Sequence, residues 1–276
     1  TDTSANAYGI NVSAYGEVVI DNSGNITLSS SNNLYLGTST AVGINVDGYN
    51  GETITNTGDI VIEASSGGGA SYAFVYDPTQ TLCGYYNCYI TYEGTIDTAG
   101  IRTTSEYGVT TITNSGDITI TDLNPDGGFL GNLNGGDYLK GIDAFNNMGD
   151  VIVNNSGNIV LEGGKWDFGI IAQTGTTIGV KNTYIEGYGY YDLPYFFGGG
   201  DVSVVNSGNI TITTDLTHPL GWLNYRASIG IAATTDLCGS PYPWLDASVC
   251  GGDISVLNSG ELNITNTGSG GAVGIA

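Results

Sequence analysis

A five-residue motif, Asn-Ser/Thr-Gly-polar-aliphatic, occurs six times: NSGNI at Asn22, NTGDI at Asn56, NSGDI at Asn114, NSGNI at Asn155, NSGNI at Asn206 and NSGEL at Asn258. A second motif, Gly-Ile, alternates with it at Gly9, Gly43, Gly100, Gly141, Gly169, Gly230 and Gly274. From Gly-Ile to the next Asn the separations are 13, 13, 14, 14, 37 and 28 residues; from Asn to the next Gly-Ile they are 21, 44, 27, 14, 24 and 16. The shortest values define a repeat of about 27 residues, and the longer ones are insertions into two connecting segments.

Apolar residues keep register with the Asn. Two positions before it stand Ile20, Ile54, Ile112, Val153, Val204 and Val256; four after it stand Ile26, Ile60, Ile118, Ile159, Ile210 and Leu262. Six after it come Leu28, Ile62, Ile120, Leu161, Ile212 and Ile264, with Thr, Asn, Asp or Val between. This alternation with period two marks strands with one buried face. Three short strands per repeat cannot bury that face alone, but stacked repeats can. The expected fold is all-β: a right-handed parallel β-helix of about six coils, one domain over 1–276, each coil rising about 4.8 Å. Each inward Ile or Val contributes roughly 1.5–3 kcal/mol by burial.

The Gly two residues after each Asn is expected at φ > 0, in a bend. Asn22, Asn56, Asn114, Asn155, Asn206 and Asn258 then stack as a ladder, amide bonding to amide from coil to coil. That role is architectural rather than chemical.

The stretches ISVLNSGELNIT, TTITNSGDITIT and FGIIAQTGTT resemble the passenger domains of autotransporters, the type V secreted proteins of Gram-negative bacteria. The resemblance covers nearly all the chain outside the insertions. It implies a β-helix and secretion to the cell surface; as a pointer to activity it is broad, since such passengers include adhesins, proteases and esterases. The membrane β-barrel that the family carries at its carboxy terminus is not among these residues.

The insertions fall at 77–97, 122–139, 182–200, 214–228 and 234–252, and aromatic residues concentrate there. Tyr85, Tyr86, Tyr190, Tyr191, Tyr195, Trp222, Tyr242 and Trp244 are the candidate binding aromatics, able to stack on sugars or fill partner pockets. The competing reading packs these loops onto the outer faces of the coils as satellite cores. All four cysteines, Cys83, Cys88, Cys238 and Cys250, also lie in insertions. Of the three possible pairings, Cys83 with Cys88 and Cys238 with Cys250 each close one loop, which suits an oxidising compartment. Zinc is disfavoured because the single His218 sits in another loop.

The formal net charge of −22, from 27 acidic and 5 basic side chains, excludes nucleic acid, whose phosphates need a basic surface. It also argues against anionic membrane surfaces, and no apolar run is long enough to span a bilayer. A lyase or hydrolase acting on acidic glycans would need cations to hold its substrate. Arg102, Lys140, Lys165, Lys181 and Arg226 are scattered, with no two expected in one column. There is no G-x-S-x-G, and His218 reads as incidental. The favoured reading is a non-enzymatic extracellular scaffold or adhesin displaying its loops, with polysaccharide lyase or hydrolase as the alternative.

A cation is the one candidate cofactor. Asp59 and Asp117, each three after a motif Asn, should stack on neighbouring coils and repel unless a cation intervenes or one is protonated. Asp122 and Asp126 lie in an oxygen-rich loop of the kind calcium uses. Solvated turn carboxylates are the plainer expectation for both sites. Asn-x-Ser/Thr sequons occur at Asn11, Asn25, Asn154, Asn209 and Asn263, and alternation places Asn25, Asn209 and Asn263 outward. The chain starts with ANAYGIN at 5–11 and stops with GGAVGIA at 270–276, in the same phase of the repeat and without a capping pattern. Two expectations follow: a segment of a longer β-helix, or subunits stacking end to end as a filament. The partners expected are thus a second copy of the chain, or host or neighbouring surface glycans and proteins.

Overall fold

The computed structural model describes residues 5–32, 39–66, 71–75, 88–92, 96–123, 138–164, 166–175, 178–185, 189–196, 199–214, 227–235, 252–266 and 271–276. The described residues are all-β, without a helix, and the strands stack in parallel in the manner of a β-solenoid.

Each repeat contributes to three strand columns. The Gly-Ile column runs through Ala5–Ala14, Ser39–Asn56, Ile96–Asn114, Tyr138–Asn146, Trp166–Thr174, Ala227–Thr234 and Gly271–Ile275. The column leading into the Asn runs through Val18–Asn22, the second halves of Ser39–Asn56 and Ile96–Asn114, then Val151–Asn155, Val202–Asn206 and Ile254–Asn258. In the second and third layers the pairing continues around that corner, through the positive-φ Gly51 and Gly108, so these two columns form a single 11-stranded curled sheet. The third column is a separate 6-stranded sheet: Ile26–Asn32, Ile60–Ser66, Ile118–Asp122, Ile159–Glu162, Ile210–Thr214 and Leu262–Asn266.

The register is the motif register. Asn22, Asn56, Asn114, Asn155, Asn206 and Asn258 lie opposite one another, as do Ile10, Ile44, Ile101, Ile142, Ile170, Ile231 and Ile275. A shift of one residue would turn every apolar side chain outward, so the pattern fixes the pairing. Ile54, Ile112, Val153, Ile60, Ile118, Ile159 and Ile210 are fully buried in one continuous core. In the outermost layers the equivalent Ile26, Leu28, Val256, Leu262 and Ile264 are only partly buried, because each such layer has a neighbour on one side only.

The glycine of the Asn motif does not take positive φ. Among the described residues that conformation occurs at Gly51, Gly108 and Gly163. The motif glycines serve a steric need instead: a Cβ on Gly58, Gly116, Gly157, Gly208 or Gly260 would collide with the carbonyl oxygen of the motif glycine one layer before it. The Gly of Gly-Ile is excluded space of another kind. A Cβ on Gly100 would lie 2.5 Å from Cγ2 of Ile118, across the interior. Both motifs thus read as places where successive backbones, or backbone and core, approach too closely for any side chain.

The insertions leave from two of the three corners. Connections from the third column back to Gly-Ile hold residues 67–95, 123–137 and 215–226; those from Gly-Ile to the Asn column hold 175–201 and 235–253. Two antiparallel hairpins lie in these connections, Ser71–Val75 with Cys88–Tyr92 and Ile178–Ile185 with Gly189–Phe196. The Asn corner keeps three residues between strands in every layer, as at 57–59 and 115–117.

Candidate functional site

At the Asn corner the ladder is complete. The side-chain amide of each Asn donates to Oδ1 of the next at 2.7–2.8 Å, from Asn22 through Asn56, Asn114, Asn155 and Asn206 to Asn258. Its other N–H donates to the carbonyl of the glycine two residues on, as Asn114 does to Gly116 at 2.8 Å. Every interior Asn has both N–H groups and its oxygen engaged while buried, which removes the penalty of an unpaired polar group. No capacity remains there for chemistry.

Outside the ladder runs a second column, Asn25, Asp59, Asp117, Asn158, Asn209 and Glu261. Asp59 Oδ1 accepts the Asp117 backbone N–H at 3.0 Å, and Asp117 Oδ1 accepts the Asn158 backbone N–H at 2.8 Å and its amide at 3.1 Å. Asn25, Asn158 and Asn209 accept from the following layer in the same way. Backbone donors therefore engage one oxygen of each stacked carboxylate. A matching column, Asp150 to Asp201 to Asp253, is built alike at the start of the Asn strands. Asp122 stands at the other end of its strand, five residues and ~16 Å from Asp117, and is buried; Asp126 lies outside the described residues. Asp59 and Asp117 thus form no single site with Asp122. Among the described residues no three His, Cys, Asp or Glu side chains gather as a metal site.

Of the sequence-read binding residues, Tyr85, Tyr86, Trp222, Tyr242, Trp244, Cys83, Cys238 and Cys250 lie outside the described residues. Tyr190, Tyr191 and Tyr195 fall on the Gly189–Phe196 strand and Cys88 on the Cys88–Tyr92 strand, where the backbone alone is described. Asn25, Asn209 and Asn263, the outward sequons, are exposed.

The cations are less scattered than the motif columns implied. Arg102 bonds Asp97 at 2.7 Å and reaches Asp143 at 3.4 Å; Lys140 bonds Asp143 at 2.8 Å and reaches Asp97 at 3.7 Å. Arg102 lies opposite Asp143 on neighbouring strands, while Lys140 is offset. Long side chains close diagonals that a column-by-column reading overlooks.

Two features at the Gly-Ile to Asn corner escaped the sequence reading. Glu52, 1% exposed, accepts from Thr110 Oγ1 at 2.6 Å, and Asn146 in turn donates to that Thr110 oxygen at 3.1 Å. Burial pushes the Glu52 carboxyl up; hydrogen bonds from Thr110, Ser105 and the Gly48 backbone oppose this, and Asp47 adds to it. Directly outside, Tyr15, Tyr49 and Tyr107 form a ladder with ring centroids 5.7 and 5.0 Å apart and planes tilted by 51° and 60°. The hydrogen bond with Tyr107 raises the Tyr49 phenol above its ordinary value, followed by charge repulsion from Tyr107 and, more weakly, from Glu106. One sequence signal pointed here: Tyr15, Tyr49 and Tyr107 fall six, six and seven residues after their Gly-Ile glycines.

Comparison with known protein families, with curated proteins and with solved structures finds no match to this chain.

Proposed function

We propose that this chain is a non-enzymatic extracellular scaffold, a right-handed parallel β-helix of the autotransporter-passenger kind, that holds Tyr- and Trp-rich loops at the cell surface for adhesion to glycans or proteins. The observation that carries the reading is the division of labour among the corners. One corner is invariant in length and saturated with hydrogen bonds, while the other two admit connections of up to 29 residues, 67–95, and the motif Ile and Asn residues still lie opposite one another. A solenoid whose stability is summed layer by layer tolerates such insertions, since each costs only loop closure. Placement outside the cell fits four cysteines confined to insertions. Probing arrays of glycans and of surface proteins with the labelled chain tests it. Specific capture that disappears when residues 182–200 are replaced by a short Gly-Ser linker is the expected result; turnover of a glycan or peptide would overturn it.

The lyase or hydrolase alternative has one observation in its favour, the Arg102, Lys140, Asp97 and Asp143 cluster on the outer face of the Gly-Ile column. Each cation there already bonds a carboxylate, so an anionic sugar would have to displace a paired Asp.

A further inference from the structure

We infer that the corner strip of Tyr15, Tyr49 and Tyr107, flanked by Glu17, Asp47 and Glu106, is a docking surface for an extended Arg- or Lys-rich segment of another protein. The three rings stand in the open, 86%, 40% and 38% exposed, and follow one another along three consecutive layers. Exposed aromatic faces carry negative potential and attract guanidinium and ammonium groups within about 6 Å. The three carboxylates are exposed beside them. Arg102 and Lys140, whose side chains are described, are both committed to Asp97 and Asp143, so neither neutralises the strip.

Charge chooses among the ligands that aromatic rings can take. A nucleic acid or acidic glycan is repelled by a chain of net charge −22. A neutral sugar gains from the rings but not from the charge of the three carboxylates. A cationic side chain gains from both, and a guanidinium lies flat on a ring while its edge hydrogen-bonds a carboxylate. Alternate side chains of an extended peptide repeat every ~6.6 Å, close to the 5.0–5.7 Å between successive rings.

None of these residues lies in an insertion, so this inference and the loop-display reading succeed or fail separately. The test is calorimetric titration of a hexa-arginine peptide, at physiological ionic strength, into the full chain and its variants. Tyr49→Leu and Tyr107→Leu keep apolar bulk and remove the phenol ring; each is expected to weaken binding about two- to five-fold, and the double variant more than either alone, without simple multiplication because the two rings touch. Glu106→Gln is expected to weaken it as well. Glu261→Gln removes the same unit of charge from the exposed column at the Asn corner, away from the tyrosines, and should leave the affinity unchanged. Melting curves establish that each variant is folded. Equal affinity for all variants would mean attraction to net charge alone and would overturn the inference. So would no binding by the parent chain, or Tyr-dependent binding of a neutral cello-oligosaccharide in place of the peptide.

Discussion

The Asn corner and the Gly-Ile to Asn corner turn the same chain in the same layers, yet they are built on opposite terms. The first has three residues in every layer, a continuous amide ladder and glycines with no room for a methyl group. The second varies in length, changes register between Asn50 and Glu52, and uses positive φ at Gly51 and Gly108. It buries a carboxylic acid and exposes three tyrosines. A corner that repeats its geometry can satisfy its polar groups by translation from layer to layer. A corner that varies must satisfy them one layer at a time, and it is there that unusual groups accumulate.

The largest expected effect sits at the invariant corner. Gly116→Val should cost about 3 kcal/mol or more, because its Cβ meets the Gly58 carbonyl and neither backbone can retreat without breaking the ladder. Gly16→Val, at the other corner, meets nothing within 4 Å and should stay within about 0.5 kcal/mol. Chemical denaturation of the two variants measures the contrast; comparable losses would break it.

Next is the ladder itself. Asn114→Asp replaces the amide that donates to Asn155 Oδ1 and to the Gly116 carbonyl with a group that only accepts. Destabilisation of about 2–4 kcal/mol is expected at neutral pH, against a few tenths for Asn50→Asp, which is exposed. A thermal melt of each decides.

A smaller, pH-dependent effect belongs to Glu52. Its folded pKa is raised, so the stability it contributes is complete below the ordinary carboxylate range and is lost as pH rises through the raised value. Glu52→Gln keeps an acceptor for Thr110 and cannot ionise. The melting temperature of the variant should therefore match the parent near pH 4 and exceed it by about 2–4 °C near pH 8. Parallel curves across that range would show that Glu52 titrates normally.

The smallest effect is expected from the insertions. Replacing residues 123–137 with the three-residue Gly-Gly-Lys connection found at 163–165 should change stability by about 1 kcal/mol and leave the circular dichroism spectrum unaltered. The same fifteen residues placed between Ser115 and Gly116 should prevent the cooperative transition.

The columns, their register and the Asn ladder were legible because translation makes each layer repeat its neighbour's environment. One Asn every repeat, with Ile or Val two before and Ile or Leu four after, can only be the same place in the fold seen again. The glycine of the Asn motif was legible as a requirement but not as to its cause. Sequence records that only hydrogen fits; it does not say whether φ or a neighbouring carbonyl imposes this. The clustering of Arg102 with Lys140 was not legible, since it joins different phases of the repeat. Glu52 and Thr110 share one phase, four before their Asn, and Tyr15, Tyr49 and Tyr107 another, seven before it, so the spacing held those signals but not the contacts the side chains make.

The sequence by itself determined the all-β class, the three columns and the pairing register, because side-chain period and motif spacing leave a single alignment that buries the motif Ile and Val of the interior layers. Tertiary structure alone decided which polar groups meet across layers. At the Asn corner that choice merely repeats the motif; at the tyrosine corner Ile96–Asn114 carries one residue more than Ser39–Asn56 between its Gly-Ile glycine and its Asn, the register shifts after Asn50, and the side chains meet across that irregularity as Tyr49 with Tyr107 outside and Glu52 with Thr110 inside.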